Sequence, residues 1–68
     1  MTEYPVESSN IATVAHNEGD LFVRFKNGRL YRYKAVPNEM FDALLQAESK
    51  GKYLNANIKG HYEYEPVG

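Results

Sequence analysis

Leu21-Phe22-Val23-Arg24-Phe25-Lys26-Asn27-Gly28-Arg29-Leu30-Tyr31-Arg32-Tyr33-Lys34 decides the fold of this 68-residue chain. Residues 21–25 and 29–35 each alternate between apolar and polar side chains, as half-buried strands do. Asn27-Gly28 marks the turn between them. A two-residue Asn27-Gly28 loop would set Phe25 opposite Leu30 and Val23 opposite Arg32, mixing apolar and charged side chains on each face. A three-residue loop, Lys26-Asn27-Gly28, with Gly28 in the left-handed region, sets Val23 opposite Tyr31 and Leu21 opposite Tyr33. A one-residue slip moves every side chain of a strand to the other face. Only the three-residue loop separates the faces. It gathers Leu21, Val23, Phe25, Tyr31 and Tyr33 as core and leaves Phe22, Arg24, Leu30, Arg32 and Lys34 on the opposite side.

Upstream, Ser8-Ser9-Asn10-Ile11-Ala12-Thr13-Val14-Ala15 alternates weakly, around either Ile11, Thr13 and Ala15 or Ala12 and Val14, and reads as a strand. His16-Asn17-Glu18-Gly19-Asp20 closes it with turn-forming residues. Residues 1–7 read as a loose leader. Downstream, Val36-Pro37 ends the hairpin. Pro37 suits a first helical turn, and Asn38, Glu39 and Asp42 complement a helix N-terminus. Met40, Phe41, Leu44, Leu45 and the stem of Glu48 recur at helical spacing, which predicts an amphipathic helix over 37–49 with Gly51 as its stop. Residues 52–62 read either as a loop or as a short helix with Tyr53, Leu54, Ile58 and Tyr62 on one side. Residues 62–65 alternate like a strand that Pro66 ends, so 63–68 is a short strand or a tail. The expected fold is α+β: one domain over 1–68, a three- to four-stranded antiparallel sheet with one main amphipathic helix packed on one face.

A chain this short buries only about 60% of the surface its unfolded form exposes. It has no cysteine to staple it, so the core must hold the fold, helped by six tyrosines and three phenylalanines. The leading residues Met1-Thr2-Glu3-Tyr4-Pro5 lack the charged and apolar regions of a signal peptide. No run approaches the roughly 20 apolar residues of a membrane span. A cytoplasmic protein with no membrane partner is expected. The net charge of −1 speaks against general nucleic-acid binding, but the charges are segregated. Arg24, Lys26, Arg29, Arg32 and Lys34 lie in an acid-free stretch, and so do Lys50, Lys52 and Lys59. The acids gather near the ends, before the hairpin and on the helix, a distribution that builds a local basic patch.

Ser8-Ser9-Asn10-Ile11, Leu21-x-Val23-x-Phe25 followed by Gly28 and Tyr31-Arg32-Tyr33, Val36-Pro37, Leu44-Leu45-x-Ala47-x-Ser49, and Gly51-Lys52-Tyr53-Leu54-Asn55 with Ile58 and Tyr62 occur in this order. Together they resemble the KTSC domain over roughly residues 6–62. Each motif is degenerate alone; their order and spacing are the specific part. Leu54 departs from the family's pattern by standing where an aromatic is expected, one apolar residue for another. The resemblance implies a small domain found at the C-terminus of some lysyl-tRNA synthetases and as a stand-alone protein in bacteria and phages. The first setting implies RNA contact. A shared fold does not by itself assign a function.

Arg24, Arg32 and Lys34, with Lys26 and Arg29 at the turn, share their face with Phe22 and Leu30. Basic groups interleaved with apolar ones can hold a phosphate backbone. The plainer reading is a solvated sheet face, its long side chains lying over Phe22 and Leu30 and acids such as Glu63 and Glu65 pairing across strands. Tyr31 and Tyr33 are a base-stacking platform or, as the register favours, core. Lys50-Gly51-Lys52 and Lys59-Gly60-His61 could cup an anion but lack a phosphate-loop fingerprint, and helix ends and turns explain them. Asn55 stands in the Tyr-Leu-Asn motif, which gives it at most a weak functional claim. His16 and His61 have no metal-ligand spacing, Ser8-Ser9 has no partner base, and Glu63-x-Glu65 has no cleft. No catalytic residue, cofactor or metal is expected.

The sequence therefore points to a non-catalytic binding module for RNA or another nucleic acid, through Arg24, Lys26, Arg29, Arg32 and Lys34, with Lys50, Lys52 and Lys59 extending the track. The alternative is a protein-interaction or homodimerising module anchored by Phe22 and Leu30. A third reading is a small phage-type protein that binds a nucleotide or a host factor.

Overall fold

Hairpin pairing sets the architecture. The computed structural model describes residues 2–67. Strands β1 (Tyr4–Pro5), β2 (Ile11–Asn17), β3 (Asp20–Phe25), β4 (Leu30–Tyr33) and β5 (Tyr64–Val67) form one antiparallel sheet in sequence order. Between β4 and β5 the chain builds α1 (Asn38–Gln46), α2 (Lys50–Tyr53) and a π-helical turn, Leu54–Ile58. The fold is α+β, with five strands rather than three or four and two short helices rather than one.

The β3–β4 hairpin has the three-residue loop. Leu21 pairs with Tyr33, Phe22 with Arg32, Val23 with Tyr31 and Arg24 with Leu30. The Gly28 N–H donates to the Phe25 carbonyl at 2.9 Å, the Phe25 N–H donates to the Arg29 carbonyl at 2.8 Å, and Gly28 has φ +91°. The β2–β3 turn is tighter: Asn17 pairs with Asp20, and Glu18 and Gly19 both take positive φ. That is the conformation that lets a two-residue loop follow the strand twist.

In β2 the pairing slips between Ile11 and Thr13, so Ala12 is an extra residue. The bulge turns both Ile11 and Val14 toward the core, which neither strict alternation allowed. Ile11, Val14, Leu21, Val23 and Tyr33 from the sheet pack with Val36, Phe41, Leu44, Leu54 and Ile58 from the helical segment. All the helices therefore lie on one face of the sheet.

The single helix expected over 37–49 stops at Gln46, and Gly51 lies inside α2 instead of ending the first helix. Ser49 is the cause: its Oγ accepts from the Lys52 N–H at 3.3 Å and caps a new helix. Segment 52–62 is mostly helical. Leu54 and Ile58 are buried, Tyr53 and Tyr62 half-buried, and the Lys59 N–H donates to the Leu54 carbonyl at 2.8 Å to close the π turn.

The leader is tied down, with Tyr4 paired to Val14 and Pro5 to Thr13. Pro66 does not end the last strand but lies within it, opposite Tyr31. The Lys34 N–H donates to the Glu63 carbonyl at 2.8 Å. Counting along the ladder from that bond puts Pro66 at a non-hydrogen-bonded position of an edge strand, where its missing N–H costs nothing.

Candidate functional site

The uncovered face of the sheet carries the hairpin's expected basic residues, and strand pairing brings acids beside them. Arg32 is opposite Glu65; its Nη2 lies 3.1 Å from Glu65 Oε1, and its Nε lies 3.5 Å from Asp20 Oδ2 without hydrogen-bond geometry. Lys34 Nζ reaches the same Glu65 oxygen at 3.0 Å. Arg24 Nε donates to Glu3 Oε1 at 3.2 Å, and the Thr13 hydroxyl donates to that oxygen at 2.7 Å. Hydrogen bonds from Thr13 and then Arg24 hold the Glu3 carboxyl below its ordinary value of 4.5. The Lys34 hydrogen bond, followed by the Arg32 charge, does the same to Glu65. Arg24, Arg32 and Lys34 are thus matched by Glu3, Asp20 and Glu65, which cancels much of the positive field a phosphate would meet there. Phe22 and Leu30 lie among these pairs, half-buried.

Lys26, Arg29, Lys50, Lys52 and Lys59 have no acidic partner within ion-pair distance among the described residues. They do not extend the Arg24–Arg32–Lys34 row. Lys50 and Lys52 belong to the helical layer on the other side of the sheet, and Lys50 Nζ donates to the Ala47 carbonyl at 2.7 Å. Lys26 and Arg29 stand exposed at the hairpin tip, and Lys59 follows the π turn.

Lys59 borders a feature that the sequence shows only in pieces. The helices cover the core face over β2 and β3, but leave open a strip of it along β4 that runs from Phe25, next to the hairpin tip, to Tyr64, which pairs with Tyr33. There Phe25, Tyr31, Tyr33 and Tyr64 line a hollow of about 180 Å³, closed on one side by Lys59 and Gly60. Tyr33, 2% exposed, forms its floor; Phe25 and Tyr31 are half-buried walls, and Tyr64 is 60% exposed at the rim. Ring edges meet ring faces from Phe25 to Tyr31 and from Tyr31 to Tyr64, with centroids 5.6 Å apart in both pairs. These contacts fix the walls. Burial, then the neighbouring Tyr64 and Tyr31, raise the Tyr33 phenol above its ordinary 10.0, so it stays neutral. From the sequence, Phe25 belongs to the core, Gly60 counts only within Lys59-Gly60-His61, and Tyr64 has no more than a place in a short strand or tail. The signal was there: Tyr64 is the second tyrosine of the Tyr62–Glu65 alternation, and the pairing of Tyr33 with Tyr64 sets it beside the hairpin tyrosines.

Two motif stretches meet elsewhere. Ser8, Ser9 and Asn10 face Ser49, Lys50, Gly51, Lys52 and Asn55 across a shallow polar cleft. Two of its serines serve the backbone: Ser8 Oγ accepts from the Asn10 and Ile11 N–H groups at 3.3 Å, and Ser49 caps α2. Asn55 lines this cleft, exposed. His16 is also structural. Its Nε2–H donates to the Val36 carbonyl at 2.7 Å while the ring stacks on Phe41 at 5.3 Å. Among the described residues no group of His, Cys, Asp and Glu could hold a metal, and no helix is long and apolar enough to cross a membrane.

The KTSC domain family model matches residues 7–62. A protein of Tsukamurella paurometabola is 42% identical over 60 residues, covering 85% of this chain and 90% of its own length. A lysine–tRNA ligase of Nostoc is 38% identical over 47 residues, which are 69% of this chain but only 8% of the ligase. The crystal structure of a KTSC domain protein from Yersinia pestis superposes with a TM-score of 0.93 at 28% identity, covering 98% of this chain and 97% of the other.

Proposed function

The chain belongs to the KTSC domain family, and from that premise we propose that it is a non-catalytic module that binds single-stranded RNA at the hairpin tip. The observation that carries the reading is the set of cations without an acidic partner among the described residues: Lys26 and Arg29 beside Phe25 and Tyr31, and Lys59 on the rim of the aromatic hollow. Cations flanking exposed rings are how proteins hold an unpaired strand, the charges taking phosphates and the rings taking bases. A similar segment within a lysine–tRNA ligase agrees with an RNA partner. Compared with the sequence expectation, the site moves from Arg24, Arg32 and Lys34 to the tip, because acids already occupy the first group.

The test is a salt series with a single-stranded oligoribonucleotide. If three cations each meet a phosphate, log K against log salt falls with a slope of about −2, at roughly −0.7 per phosphate for single strands. The Lys26→Gln/Arg29→Gln/Lys59→Gln variant loses this binding, and Arg24→Gln keeps it. Absence of binding by the wild-type protein at low salt, or full retention in the triple variant, refutes the proposal.

The charge balance of the open face favours a second reading. Its ion pairs leave it near neutral around half-buried Phe22 and Leu30, so two copies can meet there without like-charge repulsion, the two apolar residues at the centre and the charges at the rim. On this reading a dimer persists at high salt and dissociates with Phe22→Glu. A monomer at all salt concentrations excludes it.

A further inference from the structure

Resting on the RNA reading, we infer that the hollow formed by Phe25, Tyr31, Tyr33, Tyr64, Lys59 and Gly60 is a pocket for a single unpaired nucleobase. Three observations on this hollow converge.

The first is size. The hollow measures about 180 Å³. An apolar cavity of roughly 150 Å³ holds one benzene ring, whereas sites for drug-sized ligands run to roughly 300–1,000 Å³. There is room for one ring system. The second is shape. The neighbouring rings are edge-on or tilted to one another, Tyr33 to Tyr64 at 36° and Tyr31 to Tyr64 at 78°. Among the described residues no aromatic ring stacks face to face on Phe25, Tyr31 or Tyr64. A planar ring entering from solvent gains that contact, and any base can do so because every base has a π-face. The third is charge. Aromatic cages also bind quaternary ammonium groups, but Lys59 on the rim repels a cation. With Lys26 and Arg29 at the same end of the sheet, the hollow suits a ring that carries its own negative charge. A nucleotide supplies both, base into the hollow and phosphate toward Lys59. An aromatic peptide side chain would fill the hollow but leave the cations unanswered.

The experiment is an NMR titration of the ¹⁵N-labelled full chain with hexauridylate, with an abasic ribose-phosphate chain of the same length, and with uridine 5′-monophosphate. Each is applied to wild type, Tyr64→Ala and Tyr64→Phe. Tyr64 is chosen for its exposure, which spares the core, and Tyr64→Phe keeps the ring as a control for folding. Hexauridylate is expected to shift the amides of Phe25, Tyr31, Lys59, Gly60 and Tyr64. Tyr64→Ala should weaken it by about 5- to 150-fold, the usual worth of one stacked base. Tyr64→Phe should restore it, and the abasic chain should bind more weakly than hexauridylate. If the abasic chain binds as tightly as hexauridylate and Tyr64→Ala changes nothing, the base pocket is overturned while RNA binding stands. If the monophosphate shifts these amides and hexauridylate does not, the pocket stands and the RNA reading falls. If no probe shifts them, both fall.

Discussion

Two residues hold backbone conformations that their side chains resist, and three glycines, Gly19, Gly28 and Gly60, hold such conformations freely. Glu18 has φ +51° and Ala35 has φ +55°. For an L-residue with a Cβ, this region costs on the order of 1 kcal/mol. Glu18 takes the strain because the Glu18-Gly19 turn joins paired Asn17 and Asp20 with two residues, and such a turn needs positive φ at both. Asn tolerates that conformation better than Glu and is the preferred residue before Gly in such turns. Glu18→Asn should therefore raise stability by about 0.5–1 kcal/mol, read as a higher urea midpoint with an unchanged slope. Gly28, at φ +91°, is the opposite case. Open space surrounds the place where a Cβ would sit, so Gly28→Ala clashes with nothing and should cost only the backbone term, about 1 kcal/mol. A much larger loss would mean that the three-residue loop had given way to another register. The same residue made the hairpin readable in the sequence, since only a left-handed residue at 28 keeps apolar and charged faces apart.

At the scale of elements, legibility followed periodicity. β3, β4 and α1 carry clear alternation or helical spacing and were legible. β1 is two residues long and has no period to read, and the bulge at Ala12 breaks the alternation that would have announced which side chains of β2 face inward. The stop at Gln46 was hidden because Leu44, Leu45 and the stem of Glu48 continue the apolar spacing, while the capping hydroxyl of Ser49 marks a new start. Edge strands β1 and β5 also bring in the acids. Glu3 just before β1 and Glu65 in β5 sit against Arg24 and against Arg32 and Lys34 because those strands pair with the rest of the sheet. Both carboxyls are held below their ordinary value of 4.5 in the folded protein. A depressed acid stabilises the fold above its unfolded value and stops doing so as the pH falls through the folded one. Stability should therefore fall as the pH is lowered from about 5 through 4.5 and beyond, by the direction of linkage between proton binding and folding. Glu65→Gln should flatten part of that fall, and added salt should shrink it because these pairs face solvent. An identical acid limb in Glu65→Gln would show that this carboxylate contributes nothing to it.

For the whole molecule, the sheet is larger than the layer that covers it. Five strands present two faces, while nine helical residues of α1 and the short segment 50–58 cover only part of one. Register alone sends Tyr31, Tyr33 and Phe25 to the covered side, which is why the sequence places them in the core. Register says nothing about how far the helices extend, so the hollow in the uncovered strip was not legible. The open face poses the same question on a larger area, whether this chain keeps it bare or covers it with a second copy. Two leucines separate the answers. Leu54 is 2% exposed in the core, and Leu30 is half-buried on the open face beside Val67. Leu54→Ala removes buried methyl groups and leaves a cavity, at a cost of about 2–5 kcal/mol. A core this small rarely supplies more than about 3–5 kcal/mol in total, so that variant should be largely unfolded at room temperature by circular dichroism. In a monomer, Leu30→Ala loses only a partly exposed side chain and should cost about 1 kcal/mol, whatever the protein concentration. If the open face is the seam of a dimer, the same substitution lowers the melting temperature more, and both the wild-type value and the deficit depend on concentration. Thermal melts of both proteins over a hundredfold concentration range decide between the two: a concentration-independent difference leaves the face bare, and a concentration-dependent one assigns it to a second copy of the chain.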